Sequence, residues 1–300
     1  MHIYEWRTYM KISELLKNDK PSISFEVFPP KQNSNYESVK KAAMDVAALK
    51  PNFVSVTYGA GGGTSEYTIN IASDIQKNYG VTSMAHLTCI SSDRATVSTQ
   101  LEKIKAAGIE NIMALRGDIP EDMKDCDLST LDYTHATDMI REIRSKGYDF
   151  CLGGACYPEC HPDSANQKED LQALKEKVDA GVDFLTTQMI FDNDLFFNFM
   201  YKLRNSGVFV PVVPGIMPIT NAKQLARIKT LSGAYMPRKF VNLCDRFGDD
   251  KQSMVQAGIA YATEQIIDLF ANGINNVHIY TMNNPQIAAK IQENLSSIIG

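Results

Sequence analysis

Two periods take turns along this chain. Short stretches alternate apolar and polar residues with period two, and longer ones between them repeat apolar positions every three to four residues, the patterns of strand and helix. The first alternating stretch, Ser22-Ile23-Ser24-Phe25-Glu26-Val27-Phe28-Pro29-Pro30, puts Ile23, Phe25 and Val27 on one side and Ser24, Glu26 and Phe28 on the other. Ahead of it, residues 11–19 read as a short leading helix with Ile12, Leu15 and Leu16 on one face.

The unit then recurs. Helical patterns near 36–49, 65–79, 93–107, 133–146, 166–180 and 194–205 are followed by strand patterns at 53–58, 83–88, 111–115, 150–155, 184–188 and 209–213. Gly80, Gly108, Gly147, Gly181 and Gly207 stand where helices stop. From 221 to 271 there is more helix than one crossover needs, then the strand Asn276-Val277-His278-Ile279-Tyr280 and a last helix near 285–297. The reading is one domain over 1–300, an α/β fold of the (β/α)8 TIM barrel type with a short N-terminal helix and additional helices before the last strand. Barrels of this kind take about 250 residues and carry their functional residues at the C-terminal ends of the strands. An open doubly wound sheet is the rival.

Composition narrows the partners. With 44% hydrophobic and 22% charged residues and a formal net charge of -5, the chain can bury a large core. No dense Lys/Arg block marks it for nucleic acid or an anionic membrane. No apolar run reaches the roughly 18 residues of a membrane span, and residues 1–20 are too polar for a signal peptide. A cytoplasmic protein with a small soluble ligand is expected. The six cysteines are scattered, which favours reduced thiols. Cys156-Tyr157-Pro158-Glu159-Cys160-His161 lacks a second ligand pair at a zinc spacing, so no metal is expected.

Candidate chemistry collects after the strands. Glu26 points to the side opposite the apolar face; losing water raises a carboxyl's pKa and suits it to deliver a proton near neutrality, although a structural ion pair explains a buried carboxylate equally well. After the second strand, Thr57-Tyr58-Gly59-Ala60-Gly61-Gly62-Gly63-Thr64 allows close backbone approach to a ligand. It misses the dinucleotide fingerprint, and a purely structural turn accounts for it as well. His86 ends the third strand, where a hydrogen-bonded core histidine is the ordinary case. Arg116-Gly117-Asp118 follows the fourth, with a guanidinium suited to phosphate and a carboxylate suited to a heterocycle. In the helix after the fifth strand, Asp170, Ala173 and Lys177 share one stripe, as a solvated helix surface also would. Gln188 ends the sixth strand and can both donate and accept hydrogen bonds, as an amide-like ring edge requires.

Taken together, these motifs resemble the methylenetetrahydrofolate reductase family. The carriers are Phe25-Glu26-Val27-Phe28-Pro29-Pro30, Val56-Thr57-Tyr58-Gly59-Ala60, His86-Leu87-Thr88-Cys89, Ala114-Leu115-Arg116-Gly117-Asp118, Tyr157-Pro158-Glu159 with His161-Pro162, Lys177-Val178-Asp179-Ala180-Gly181, Thr187-Gln188 and Pro214-Gly215-Ile216, in family order. The resemblance implies a flavoenzyme that takes hydride from NADH or NADPH onto FAD and passes it to 5,10-methylenetetrahydrofolate by ping-pong kinetics. It implies Glu26 as general acid and Asp118 beside flavin and pterin. Thr57, Tyr58, Ala60, His86, Arg116, Gly117, Asp118, Ala136, Tyr157, His161, Asp170 and Lys177 match FAD-binding positions. Glu26, Thr57, Asp118, Gln188 and Gln224 match substrate-binding positions, and self-association into a homo-oligomer is expected.

Departures stand at Ala173 and Glu176, where some members bear Asn and Arg, at Ile228 in place of a stacking Phe, and at Asn284 in place of an Arg. With the barrel running to Gly300, the C-terminal regulatory domain of eukaryotic members, and inhibition by S-adenosylmethionine, are not expected. The rival functional readings are a flavin barrel acting on another small substrate, as in proline oxidation, and a non-catalytic flavin- or folate-binding barrel.

Overall fold

The computed structural model describes residues 9–30, 35–58, 65–120, 123, 126–225, 228 and 233–299. The period-two stretches lie side by side in it as a closed barrel of eight parallel strands in chain order. They are β1 Ser22–Val27, β2 Phe53–Val56, β3 Thr82–Thr88, β4 Asn111–Leu115, β5 Cys151–Cys156, β6 Phe184–Ile190, β7 Val212–Ile216 and β8 Asn276–Tyr280. Closure settles the choice against an open sheet: β8 returns to β1, with Ser24 opposite His278 and Glu26 opposite Tyr280. The register slips within β6 between Thr186 and Met189, next to Gln188.

Helices α2 Tyr36–Ala47, α3 Ser65–Tyr79, α4 Arg94–Ala106, α5 Ala136–Ser145, α6 Gln167–Asp179 and α7 Asn193–Asn205 alternate with the strands, and α10 Pro285–Ile299 follows β8. Their apolar stripes meet the outward side chains of the strands, among them Phe25, Val27, Ala85 and Leu87, in one continuous buried layer. Outward apolar and inward polar positions on β1 and β3 therefore fall where alternation places them. Gly108 and Gly147 end α4 and α5 at φ +75 and +74, and a Cβ at either would meet nothing. Only the left-handed backbone accounts for glycine there.

The leading helix is shorter than its pattern suggests. It makes a single turn, α1 Ile12–Leu15, too short to stand on propensity and held instead by the barrel's N-terminal end. Ile12 N–H donates to Asn111 Oδ1 at 2.7 Å while Asn111 Nδ2 donates to Ser83 O at 3.1 Å. Ile12 and Leu16 cap an interior cluster of Phe53, Met84, Met113, Phe184 and Val213. That end of the barrel is filled with side chains, which leaves only the C-terminal end for chemistry.

The surplus helical sequence before β8 forms a 3-10 turn Ala222–Gln224, then α8 Arg238–Phe247 and α9 Lys251–Ala271. These build a satellite core beside β6 and β7: Phe240 packs between Phe191 and Tyr261 at 4.9 Å from each, and Tyr261 Oη donates to Phe191 O at 2.6 Å. Gly258 is the tightest point, since a Cβ there would lie 1.9 Å from Ile219 O. Gly258→Ala should therefore destabilise by about 1–3 kcal/mol, opposite to the gain of about 1 kcal/mol that helix propensity offers alanine. A lowered urea midpoint checks this; a raised one would mean that α9 is not seated on the β7 loop.

Candidate active site

At the C-terminal end the barrel opens into a cavity of about 1020 Å³, at the top of the range of about 300–1,000 Å³ common for small-molecule sites. Glu26, Thr57, Tyr58, His86, Gly117, Asp118, Tyr157 and Gln188 all line it. Alternation brings Glu26, Ser55, His86 and His278 inward from four strands. Ser55 Oγ donates toward Glu26 Oε2 at 3.4 Å, and His86 Nε2 and His278 Nε2 lie 3.5 and 3.8 Å from the same oxygen. His278 is fixed from both sides, its Nδ1 at 2.7 Å from Ser24 Oγ and its Nε2 at 3.0 Å from Ser55 Oγ. Its ring stacks on Phe53 and meets Tyr280 edge-on.

This cluster reverses one expectation. Burial pushes the Glu26 carboxyl up, but the pull of His278, of His86 and of the Ser55 hydroxyl together outweighs it, and the group lies below the ordinary carboxylate value. Sequence reasoning has the burial and not the histidines that closure delivers. His86 moves the other way from a salt-bridged histidine. Burial lowers it to about 4 against the pull of Glu26, so the ring is neutral at pH 7.

The cavity also holds unsatisfied polar atoms. Among the described residues, His86 Nε2, 3.5 Å from Glu26 Oε2 but not hydrogen-bonded to it, and Thr186 Oγ1 are buried with no hydrogen-bond partner, an arrangement that usually has a ligand or water to explain it. Gly117 has φ +87, and a Cβ there would press on Thr88 Cβ at 3.0 Å. Only glycine lets this backbone pass so close to β3 at the cavity edge. Tyr280 donates to Thr187 O at 2.6 Å and lies so near Gly215 that a Cβ would come within 2.5 Å of its ring. Gln188 Oε1 accepts from Met189 N at 2.9 Å, while its side chain also meets the Tyr157 hydroxyl.

Other expected positions stand back from the cavity. Arg116 pairs with Asp163 at 2.8 Å, and its Nε donates to Gly117 O at 3.3 Å. His161 packs edge-on against Tyr157 with centroids 4.5 Å apart. Asp170 is only 5% exposed, and burial raises its carboxyl although the His161 N–H and the Ser164 hydroxyl point at it. These contacts tie it to the loop after β5. Lys177 donates to Ala155 O at 2.7 Å, and burial lowers its amine. Ala136 begins α5 within the main core. Ala60, with the rest of the glycine-rich run at 59–64, lies outside the described residues, as does the side chain of Gln224.

Two of the departures have structural uses. Asn284 Oδ1 accepts from Ile287 N at 3.2 Å in the first turn of α10. Ile228 is buried in the satellite core. Ala173 and Glu176 lie on the exposed face of α6. His278, Thr186 and Tyr280 line the cavity and Ser55 touches Glu26 from beneath it, and the motifs miss all four. The signal for three of them is present, since Ser55 alternates with Val54 and Val56, and His278 and Tyr280 with Val277 and Ile279.

Comparison with known proteins places this geometry. The model of the family described as methylenetetrahydrofolate reductase matches residues 11–296. A maize protein named methylenetetrahydrofolate reductase (NADH) 1 is 36% identical over 298 residues, 96% of this chain and 50% of the maize protein. The 5,10-methylenetetrahydrofolate reductase of Pectobacterium carotovorum is 32% identical, covering 90% of this chain and 88% of its own. The chain thus spans about half the length of the plant and yeast relatives and most of the bacterial ones. Among solved structures, an uncharacterized Clostridium thermocellum protein described as binding two copies of 5-methyl-5,6,7,8-tetrahydrofolic acid shares the fold at TM-score 0.62 and 15% identity, over 95% of this chain and 99% of that one.

A pH signature follows from His86. Its folded pKa of about 4 lies below the unfolded value of about 6.5, so the unfolded chain binds the extra proton as pH falls from 6.5 toward 4 and stability drops over that window. The loss from this group approaches about 3 kcal/mol at the acid end. His86→Gln should therefore show a shallower decline in urea midpoint between pH 7 and 4.5 than the parent; parallel declines would count against a buried neutral ring.

Proposed function

The chain belongs to the methylenetetrahydrofolate reductase family, and on that premise we propose that it reduces 5,10-methylenetetrahydrofolate to 5-methyltetrahydrofolate with NADH or NADPH as electron source and FAD as resident carrier. The observation that carries the reading is the Glu26 carboxylate, inside a large cavity at the C-terminal end of the barrel and contacted by His86, His278 and Ser55. The names of the plant relatives specify NADH, which makes NADH the first electron source to test.

The site suits a flavin on its own terms. The cavity volume, the orphaned His86 Nε2 and Thr186 Oγ1, and the close backbone passage at Gly117 all favour a large polar-edged ring. In this proposal Thr57, Tyr58, His86, Gly117, Asp118 and Tyr157 hold the ring system, and Arg116 with His161 holds the phosphate end. Asp170 and Lys177 keep the β5–α6 loop in place. When bound, FAD supplies the hydride chemistry that side chains lack.

The protein's own part is proton transfer and orientation. Glu26 protonates the folate nitrogen whose bond to the one-carbon unit opens, which leaves an iminium carbon able to accept hydride. Its lowered pKa makes it a carboxylate in the free protein at neutral pH, so proton uptake accompanies substrate binding. The entering pterin strips the remaining water from a side chain now 21% exposed and pushes the carboxyl up. His278, locked between Ser24 and Ser55, orients Glu26. Asp118 accepts from the pterin's N–H edge, and Gln188 completes its recognition.

Purified protein should be yellow, bleach with NADH under anaerobic conditions and regain colour on addition of 5,10-methylenetetrahydrofolate. In Glu26→Gln the NADH step should persist while the folate step slows by about 10²–10⁴. Stopped-flow absorbance separates the two. Equal slowing of both, or a protein unable to take up FAD, would defeat the proposal.

A further inference from the structure

Arg116 adjoins Gly117 and Asp118, which line the cavity, and it is already engaged. Its Nη1 lies 2.8 Å from Asp163 Oδ2, with the guanidinium 27% and the carboxylate 58% exposed. Asp163 is aimed there by its own loop: its backbone N–H donates to His161 Nδ1 at 3.1 Å, and His161 is held edge-on against Tyr157. Two other basic groups of this region, among the described residues, offer little. Lys177 spends its ammonium on Ala155 O, and burial and Arg116 push His161 toward its neutral form. An incoming phosphate therefore meets an ion pair in place of a free guanidinium, and Coulomb repulsion from Asp163 offsets much of what Arg116 offers. Because the carboxylate is largely in solvent, releasing it to water costs little.

We propose that Asp163 is a displaceable competitor for Arg116 that sets how tightly the phosphate end of FAD is held. The inference rests on the proposed flavin site and on Arg116 as its phosphate ligand. Binding exchanges one charge-assisted pair for another: Arg116 leaves the Asp163 carboxylate for a phosphate oxygen, and Asp163 swings to solvent. The cofactor is consequently held more loosely than the same pocket would hold it without the carboxylate.

The test uses the FAD-loaded 300-residue chain, diluted stepwise while flavin fluorescence reports release. Asp163→Asn should hold FAD about two- to tenfold more tightly than the parent, and Asp163→Ser should behave alike. The gap should close at about 0.5 M salt, where exposed charges are screened, and should vanish in an Arg116→Gln background; a merely structural role for Asp163 would follow neither salt nor Arg116. Should Arg116→Gln weaken FAD while Asp163→Asn leaves it unchanged or weaker, the inference falls and the flavin site stands. Should Arg116→Gln have no effect, the phosphate assignment falls with it. A parent protein that binds no FAD overturns the inference together with the proposed function.

Discussion

The mouth of this barrel is built around a carboxylate that cannot be buried alone. Glu26 sits within a cage of side chains, and removing a charged carboxyl from water without partners is prohibitive. Its partners come from the two neighbouring strands and the one beyond: Ser55 on β2, His278 on β8 and His86 on β3. Because β8 reaches Glu26 only when the sheet closes, barrel closure and stabilisation of the acid are one event. The same contacts that make the charge tolerable also lower its pKa, which ties its protonation to whatever fills the cavity.

The remaining architecture protects that arrangement. α1 and a cluster of large apolar side chains close the opposite end, so the polar groups gather at one end only. α8 and α9 add a second core beside β6 and β7, seated on the β7 loop through the close approach at Gly258. Tyr280 and Gly215 interlock in the same manner between β8 and β7. Rigid apolar packing thus holds polar groups that would otherwise turn toward water.

Charge is balanced outside the cavity as well as inside. Asp170, Lys177, Arg116 and Asp163 follow the strands that carry the cavity, and each already has a protein partner. A site that attracts an anionic cofactor has to disengage one of these pairs, and the exposed one at Arg116 is the least costly to break. In the proposed site the loop after β5 would act on cofactor affinity through the company it offers Arg116.

How much of this was legible beforehand differs by level. Period-two alternation, helix-ending glycines and strand-end motifs are local properties, so the βα repeat, the inward face of Glu26 and His86, and the family resemblance could all be read from residue order. The length of α1 could not, because one turn of helix at Ile12 exists only where Asn111 accepts its N–H. Nor could the direction of the Glu26 pKa, since Ser55 and His278 are distant in sequence and alternation states which side they face but not whom they meet. Residue order by itself determined the periods and the chemistry on each face; the closed sheet alone decided which charges and hydroxyls stand within reach of one another, because electrostatic and hydrogen-bond energies depend on separation in space and not along the chain.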